Sequence, residues 1–336
     1  MLEILIDADV DESGLKRLRS VSGARIEFVQ PHGEARPLPT ELIRHAEILF
    51  CTYAPENFFA MEALRFIQLT SSGYNQLFDL DLVTKGIRAA NARGCFDVPV
   101  AEWNIAMMIN LARSLRSMIR NQERSVWDRA AEFQREVRGA TVGIWGYGGI
   151  GRETARLAHS MGMRIHVLSR RGVGPIRNVY FVSGTGDPHG VLPDRVFRSG
   201  EELEFLSGLD FLVLAMPLTR ATEGLIGERE LRALPPTAFL LNPARGPLIV
   251  EEALLRALRE KWISGAALDT HYHYPMPVEH ALWKLPNVIF TPHISGSSLS
   301  QHFCSRTWEI FNANIDRYCA GEHLLNELTT AQLQGG

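Results

Sequence analysis

The sequence predicts an α/β protein of two domains, each built on a doubly wound parallel sheet. Short apolar segments alternate with helix-like segments along most of the chain, as in parallel strands joined by crossover helices. One strand-like segment runs into the glycine turn Gly146-x-Gly148-x-x-Gly151, and a helix-like segment follows it. The chain has 336 residues, which is enough for two domains of ordinary size.

The N-terminal segments predict a small alternating unit. Strands are expected at residues 2–6, 25–29, 47–51, 66–70 and 87–89, and helices at 11–21 and from 39 to 45. Ser72 and Gly73 follow the fourth strand at its carboxyl end, and Tyr53 follows the third. Open α/β sheets bind ligands at that edge, so these three residues are candidate substrate contacts.

A long helix is expected next, over residues 100–120, connecting the two domains. The charged segment 122–137 resembles a helix on which Trp127 and Phe133 would be exposed. An apolar anchor in a polar segment favours a subunit contact for Trp127. The alternative is that Trp127 packs against its own domain.

The glycine turn has the context of a dinucleotide-binding motif: strand, turn, helix, strand. Gly146 allows a tight turn, Gly148 allows backbone to approach a pyrophosphate, and Gly151 allows close packing of helix and sheet. The helix then offers free N–H groups and the positive end of its dipole to the phosphates. The expected cofactor contacts of this turn are Tyr147, Gly148, Gly149 and Ile150.

The residue that reads the adenosine ribose is expected about eighteen positions after Gly151, at the end of the next strand. This chain has Ser169, Arg170 and Arg171 there, with no carboxylate to repel a 2′-phosphate. Two guanidinium groups can pair with that phosphate, so the sequence favours NADP(H) over NAD(H). The alternative is that both arginines only solvate a loop.

The rest of the chain continues the alternation. Strands are expected at 164–168, 211–215, 238–241, 265–268 and 288–290, and helices at 152–161, 227–234, 251–261 and 297–321. The last helix is expected to return to the first domain. The predicted domains are therefore 1–98 plus 297–336 and, for the nucleotide, 99–296. The Gly- and Pro-rich loop 172–200 is long for such a connection, and its role is left open.

Three polar residues follow successive strands of the predicted nucleotide domain: Arg245, Asp269 and His293. Strand ends of a doubly wound sheet line one crevice. An arginine can clamp a carboxylate, and a histidine can carry the proton that accompanies hydride transfer. Together they suit the interconversion of a 2-hydroxy acid and a 2-keto acid. Taken singly, Arg245 could form a salt bridge at a helix start and His293 could cap a loop.

Composition excludes several classes. The net charge of −3 argues against an obligate nucleic-acid partner. The apolar run 105–112 is too short to span a bilayer, and the N-terminus lacks the basic region of a signal peptide. The four cysteines are scattered, without metal-ligand spacing, which predicts no metal site and a reducing, cytoplasmic location.

These segments resemble the D-isomer-specific 2-hydroxyacid dehydrogenase family, which includes glyoxylate/hydroxypyruvate reductases and phosphoglycerate dehydrogenases. The resemblance covers nearly the whole chain. It rests on residues 146–151, Pro217-Leu218-Thr219 with Thr222, Asn242-Pro243-Ala244-Arg245-Gly246, Ala267-Leu268-Asp269, Thr291-Pro292-His293-Ile294-Ser295-Gly296 and the substrate-loop sequence Ser72-Gly73-Tyr74-Asn75-Gln76.

The resemblance implies a Rossmann nucleotide domain, a smaller flavodoxin-like substrate domain, a hinge cleft between them and a homodimer with Trp127 in its arm. It implies Arg245 as the substrate clamp and His293 as the acid/base. Further cofactor contacts would come from Pro217, Thr222, Ala244, Arg245, Asp269 and His293. The leading hypothesis is an NADP-dependent reductase of small 2-keto acids.

One residue departs from the family pattern. Tyr274 stands where the family has a glutamate that stabilises the imidazolium of the acid/base histidine. A tyrosine hydroxyl can orient the ring but brings no charge at neutral pH, so we expect the pKa of His293 to be lower than that of the same histidine in its relatives. Glu279, His271 or His273 could replace the lost partner. Two alternatives follow: a dehydrogenase of an atypical substrate, or a nucleotide-sensing binding protein with little or no catalysis.

Overall fold

The computed structural model describes residues 2–21, 23–170 and 172–334. Arg171, one of the two arginines predicted to bind NADP(H), lies outside the described residues. The strands are β1 (Leu2–Asp7), β2 (Ala24–Phe28), β3 (Ile48–Cys51), β4 (Phe66–Leu69), β5 (Arg88–Ala90), β6 (Thr141–Trp145), β7 (Arg164–Leu168), β8 (Arg195–Phe197), β9 (Phe211–Leu214), β10 (Phe239–Asn242), β11 (Gly265–Leu268) and β12 (Val288–Phe290).

The α-helices alternate with these strands along the chain. They are α1 (Glu12–Arg19), α2 (Thr40–Ile43), α3 (Asp97–Ala112), α4 (Leu115–Glu123), α5 (Gly149–Ser160), α6 (Glu202–Leu206), α7 (Glu228–Ala233), α8 (Glu251–Arg259), α9 (Gln301–Cys319) and α10 (Thr330–Leu333). Short 3-10 helices cover Phe58–Ala60, Asn75–Leu80, Ala131–Phe133, Gly246–Leu248 and Ala281–Lys284.

By the density of contacts the chain divides into two units. One unit holds residues 1–96, 177–182 and 298–336, and the other holds 97–176 and 183–297. The predicted domains, 1–98 plus 297–336 and 99–296, differ from these units by one or two residues at the two main divisions. The grouping of 177–182, inside the loop 172–200, with the first unit was not predicted.

The first unit contains a parallel sheet of five strands in the order β2-β1-β3-β4-β5. This is the flavodoxin-like doubly wound order. Its strands end on the loops that carry Tyr53 and Ser72. The predicted fold of this unit is confirmed.

The second unit contains a parallel sheet of seven strands in the order β12-β11-β10-β9-β6-β7-β8. Strand order reverses between β6 and β9, as in a Rossmann fold, and ligands bind at such a switch point. The glycine turn 146–151 follows β6, so it lies at this point. The predicted fold class is confirmed for both sheets.

Alternating side chains of each strand fill two apolar layers, one on each face of the sheet. In β10, Leu240 packs in one layer and Leu241 in the other, and in β9 Leu212 and Val213 divide in the same way. In the sequence, strands that are buried on both faces appear as continuous runs of apolar residues. That pattern made them recognisable in the sequence.

Three local predictions were wrong. The helix expected over 100–120 breaks between α3 and α4, where Ser114 has a φ of 45°. Segment 122–137 is not an α-helix, and Phe133 is buried, at 6% exposure, whereas Trp127 is 91% exposed. Its pattern of charges reflected exposure to solvent rather than helix formation. The loop 172–200 contains the short strand β8, which pairs with β7 at the edge of the sheet.

Among the described residues, helices that are both long enough and apolar enough to cross a bilayer are absent.

Candidate active site

The turn after β6 needs glycine at two positions because backbone passes close to it. Gly146 has a φ of 101°, and a Cβ there would lie 2.6 Å from the carbonyl oxygen of Ala215. A Cβ on Gly151 would overlap the carbonyl oxygen of Gly146. Any larger residue would push the turn away from the start of α5.

The N-terminus of α5 is suited to a phosphate. Gly148 is the N-cap residue and, having no side chain, makes no capping hydrogen bond to this helix. Gly149 lies against the carboxylate of Asp97, so a side chain at position 149 has no space. Helix N-termini with free N–H groups bind anions, and the residues present therefore fit the pyrophosphate of a dinucleotide.

Tyr147, predicted to contact the cofactor, directs its side chain into the protein. Its hydroxyl donates to a carboxylate oxygen of Asp187 at 2.7 Å, and Asp187 also accepts backbone N–H groups of residues 190–192. Arg152 donates to the carbonyl oxygens of Tyr147, Asp187 and Gly174. Only the backbone of Tyr147 is therefore available for the predicted cofactor contact. Its side chain, through Asp187, holds part of the loop 172–200 in place.

The predicted ribose-reading residues follow β7. The hydroxyl of Ser169 donates to the carbonyl oxygen of Gly172 at 2.9 Å, which closes a turn. Arg170 is exposed at this turn. In the loop after β9, the hydroxyl of Thr222 donates to the carbonyl oxygen of Pro217 and accepts the N–H of Thr219, both at 2.8 Å. Thr222 thus shapes the loop from which a cofactor contact was predicted.

Arg245 lies on a turn that Asn242, at the end of β10, holds with its side chain. The Asn242 amide oxygen accepts the N–H groups of Ala244 and Arg245 at 3.1 and 3.2 Å. Its amide nitrogen donates to the carbonyl oxygen of Arg245 at 2.8 Å. The guanidinium of Arg245 is exposed, donating to the carbonyl oxygen of Ala244. It is therefore accessible to a carboxylate.

His293 lies on a turn that Asp269, at the end of β11, holds from a distance in sequence. One carboxylate oxygen of Asp269 accepts the Thr291 hydroxyl at 2.6 Å and the N–H of Ile294 at 2.9 Å; the other accepts the N–H of Ser295 at 3.0 Å. Asp269 is completely buried, and His293 has a φ of 57°. The contacts of Asp269 make it a support for the turn, and its predicted cofactor contact stays a prediction.

Tyr274 contacts His293 through its ring rather than its hydroxyl. The two ring centroids are 5.6 Å apart. The Tyr274 hydroxyl instead accepts the N–H of His271 at 3.1 Å. The suggestion that the hydroxyl orients the imidazole therefore does not hold in this structure.

Of the three residues considered as replacement partners, His271 is the one that acts on His293. His271 is buried, at 5% exposure, and its ring stacks on that of Phe290. Its Nε2 donates to the carbonyl oxygen of Thr291 at 2.7 Å, while its Nδ1 is buried without a hydrogen-bond partner. Glu279 is exposed, and the ring of His273 lies near that of His280.

The pKa of His293 is lowered from its ordinary value. The largest cause is the partial loss of water around the imidazole, followed by the positive charge of Arg245; His271 lowers it further, while the negative charge of Asp269 opposes them. Within the described residues, His293 forms no ion pair with a carboxylate. The lower pKa relative to the family, expected from the missing glutamate, stays a prediction.

The predicted substrate residues of the first unit lie on neighbouring loops. The Ser72 hydroxyl donates to the carbonyl oxygen of Ala92, and Asn91 donates to the carbonyl oxygen of Ser72. Gly73 accepts the hydroxyl of Ser71 at 2.8 Å. Tyr53, after β3, is partly exposed. Their contacts with substrate stay predictions.

Sequence reasoning missed two supporting residues. The role of Asn242 could have been found, because an asparagine at a strand end commonly holds the turn that follows it. The burial of His271 leaves no local signal, since it depends on Phe290 and Thr291, which lie about twenty residues later in the chain.

Comparisons with known proteins agree with this geometry. Residues 105–295 match the profile described as D-isomer specific 2-hydroxyacid dehydrogenase, NAD binding domain. A glyoxylate reductase of Thermococcus gammatolerans is 32% identical over 88% of this chain and 87% of its own length. A D-isomer specific 2-hydroxyacid dehydrogenase family protein of Aeromonas salmonicida superposes with a TM-score of 0.79, at 26% identity, over 98% of this chain and 99% of its own.

A second solved structure has the same fold at lower identity. It is an NADPH-dependent glyoxylate/hydroxypyruvate reductase of Sinorhizobium meliloti in complex with NADP and sulfate, with a TM-score of 0.74 and 20% identity over 99% of this chain and all of its own. The profile match covers more than half of the chain, and the Thermococcus relative covers most of it. The chain therefore belongs to the D-isomer specific 2-hydroxyacid dehydrogenase family and is an NAD(P)-dependent dehydrogenase.

Proposed function

We propose that this dehydrogenase reduces small 2-keto acids of the glyoxylate or hydroxypyruvate type with NADPH. The observation that carries the proposal is the position of Arg245 and His293 after β10 and β12, close enough for the charge of Arg245 to lower the pKa of His293. A cofactor of this class supplies a hydride when bound. Arg245 would hold the substrate carboxylate, and His293 would give the proton that the new alkoxide needs.

The activity can be tested by following NADPH oxidation with glyoxylate, hydroxypyruvate and larger 2-keto acids. Replacing His293 by Asn should lower kcat about 100-fold or more, because a positioned general acid contributes about that much. The matched control is His159→Asn at the far end of α5, where His159 is exposed. No turnover with any 2-keto acid, or an equal effect of both variants, would contradict the proposal.

The preference for NADPH rests on Arg170. It is exposed just after β7, the position where an NAD enzyme carries a carboxylate, and neither Ser169 nor Arg170 is acidic. Replacing Arg170 by Ala should raise KM for NADPH about tenfold and leave KM for NADH unchanged, because only NADPH offers a 2′-phosphate. Arg229→Ala on α7 is the matched control, since Arg229 is also exposed. A lower KM for NADH in the unaltered protein would contradict the preference.

We also propose a homodimer that uses the segment around Trp127. Apolar side chains are exposed along α4 and after it: Met118, Ile119, Val126 and Trp127. Several large apolar side chains exposed within one short segment favour an interface. Sedimentation should give twice the mass of the chain, and Trp127→Ala should weaken the association. A monomer at every concentration would contradict this proposal.

Two further proposals follow from the sequence. The first unit is the substrate domain and the second the nucleotide domain, with limits near residues 98 and 297. The cytoplasm is the proposed location, because the cysteine spacing is typical of a reducing compartment. Expression of separate domains and fractionation of cells test these proposals.

A further inference from the structure

The backbone of His293 lies in a conformation that needs support. Its φ of 57° is in the left-handed region, which residues other than glycine adopt at an energetic cost. Its N–H donates to the carbonyl oxygen of Thr291 at 3.0 Å, so the two residues form one tight turn. Asp269 binds donors of this turn, but a carboxylate only accepts hydrogen bonds. The Thr291 carbonyl is therefore left for another side chain to hold.

His271 supplies the donor for this carbonyl. Its Nε2 donates to the carbonyl oxygen of Thr291 at 2.7 Å, so this oxygen accepts one hydrogen bond from His293 and one from His271. The ring of His271 is stacked on that of Phe290, with the centroids 3.9 Å apart and the planes at 18°, which fixes the direction of the Nε2–H bond. His271 thus holds the turn from the side that Asp269 does not bind.

The backbone of His271 lies against the turn that carries Arg245. A Cβ on Gly246, the residue after Arg245, would lie 2.5 Å from the carbonyl carbon and the carbonyl oxygen of His271. The next residue, Tyr272, donates its hydroxyl to the carbonyl oxygen of Ile249 at 3.1 Å. The close packing and this hydrogen bond fix the backbone of His271 relative to the segment that follows β10.

We propose that His271 is a positioning residue that sets the distance between Arg245 and His293. Its backbone is packed against the Arg245 turn and its ring holds the His293 turn, so the two turns are joined through this one residue. The inference rests on the proposed function, in which Arg245 holds the substrate carboxylate and His293 gives a proton to the oxygen on the adjacent carbon. Both groups must then act at one spacing, because a misplacement of about 1 Å can cost about 100-fold in rate.

The burial of an imidazole at this position argues against a role in packing alone. His271 is 5% exposed, and within the described residues its Nδ1 is buried without a hydrogen-bond partner. A buried polar atom without a partner destabilises a fold, and a hydrocarbon side chain of similar shape would avoid that cost. What the imidazole adds is the Nε2–H that binds the Thr291 carbonyl.

Tyr274 takes part in the same linkage. Its hydroxyl accepts the backbone N–H of His271 at 3.1 Å, and its ring lies beside that of His293, with the centroids 5.6 Å apart. The hydroxyl holds the backbone of His271, and the ring packs against the imidazole that the turn presents. Tyr274 thus supports both histidines without bringing the negative charge of a glutamate.

The first experiment compares two variants of His271 in the NADPH-dependent reduction of 2-keto acids. His271→Phe keeps a ring to stack on Phe290 but removes the donor, whereas His271→Gln places an amide N–H near the position of Nε2. We expect kcat to fall about tenfold or more in His271→Phe and to stay within about threefold of the unaltered protein in His271→Gln. KM for the keto acid should change less than kcat, because Asn242 still holds the Arg245 turn.

His280→Phe and His280→Gln are the matched controls. His280 is partly buried in the same loop, and its Nε2 binds Glu251 rather than the His293 turn. Both controls should keep the kcat of the unaltered protein. An unchanged kcat in His271→Phe, an equal loss in His271→Phe and His271→Gln, or the same loss in the controls would overturn the inference and leave the proposed function standing.

The second experiment needs no turnover and no cofactor. NMR of the protein labelled with nitrogen-15 in its histidine rings reports the Nε2–H of His271 and the surroundings of the His293 ring. The Nε2–H of His271 should exchange slowly with water, in contrast to the ring N–H of the exposed His159. The ring resonances of His293 should move in His271→Phe and stay near their original positions in His271→Gln.

These resonances separate the inference from the proposed function. If the unaltered protein reduces no 2-keto acid, the proposed function fails, and NMR alone decides the inference. Resonances of His293 that are the same in the unaltered protein and in His271→Phe would overturn it. An Nε2–H of His271 that exchanges as fast as the ring N–H of His159 would overturn it without any variant.

Discussion

Asn242 is the last residue of β10, and Asp269 directly follows the neighbouring strand β11. Each holds the turn that carries a residue of the candidate active site. Asn242 holds its own turn, through the N–H groups two and three residues ahead. Asp269 holds a turn between 22 and 26 residues ahead in the chain. Its carboxylate has no contact with water, so it depends entirely on these hydrogen bonds. The same task is done by a neutral local contact in one place and a charged distant one in the other.

The difference shows how position and chemistry are coupled here. The neutral amide of Asn242 fixes Arg245 and leaves its charge available to the substrate. The carboxylate of Asp269 fixes the backbone beside His293 and at the same time raises the pKa of that histidine, against the larger effects that lower it. Changes at Asp269 should therefore alter both geometry and protonation, whereas changes at Asn242 should alter geometry alone.

The largest effect is expected for Asp269→Ala. It leaves the Thr291 hydroxyl and the N–H groups of Ile294 and Ser295 without an acceptor, so we expect the free energy of unfolding to fall by about 3 kcal/mol and kcat/KM by about 100-fold or more. Chemical denaturation and steady-state kinetics measure both. Asp210→Ala is the matched control. Asp210 directly precedes β9, at the amino ends of the strands and away from the candidate site, where it accepts the N–H of Thr141 and pairs with Arg135. The control should lose stability and keep its activity.

A smaller effect is expected for Asn242→Ala. The change removes two accepted hydrogen bonds and one donated bond from the Arg245 turn, which should cost about 1–2 kcal/mol of stability. Substrate KM should rise about tenfold with a smaller change in kcat, because Arg245 would lose its position but keep its charge. A loss as large as that of Asp269→Ala would contradict the distinction between the two supports.

Asp269 and Asn242 should also differ in their effect on the protonation of His293. Ketone reduction needs the imidazolium form, so its rate should fall as pH rises through the lowered pKa of His293. Asp269→Asn removes a negative charge that raises this pKa, and should move the fall to lower pH. Asn242→Ala should leave the pH of the fall unchanged. Equal shifts, or none in Asp269→Asn, would show that the charge of Asp269 does not reach His293.

The smallest effect is expected for Thr291→Val. It removes one of the three hydrogen bonds to Asp269 while keeping the shape of the side chain. Thermal unfolding should show a loss of about 1 kcal/mol, and kcat/KM should fall by no more than about tenfold. Thr291→Ser retains the hydroxyl and should stay close to the unaltered protein. A larger loss in the serine variant would place the effect in packing instead.

The sequence indicated the strands well because each is an apolar run buried on both faces, and the order of elements then defines the sheets. It failed where distant contacts decide. Ser114 adopts a left-handed conformation within a helical pattern, and β8 is formed by pairing with β7 in a segment rich in glycine and proline.

The candidate site shows the same limit. Arg245 and His293 were chosen because each follows a strand, and in the structure the charge of Arg245 contributes to the lowered pKa of His293. The hydroxyl of Tyr274 was expected to face His293, yet it accepts an N–H three residues back along the chain. That choice depends on the fold of a short loop whose sequence has no regular period, so pattern reading could not supply it.

The exposure of Trp127 gives the chain an optical reporter. Of its six tryptophans, Trp145 and Trp308 are buried, at 5% and 0% exposure, whereas Trp127 is 91% exposed. An indole in water emits at longer wavelength than a buried one and is quenched by iodide. Emission that moves to shorter wavelength and escapes quenching as concentration rises, and that does neither in Trp127→Phe, would record burial of this one side chain without any added label.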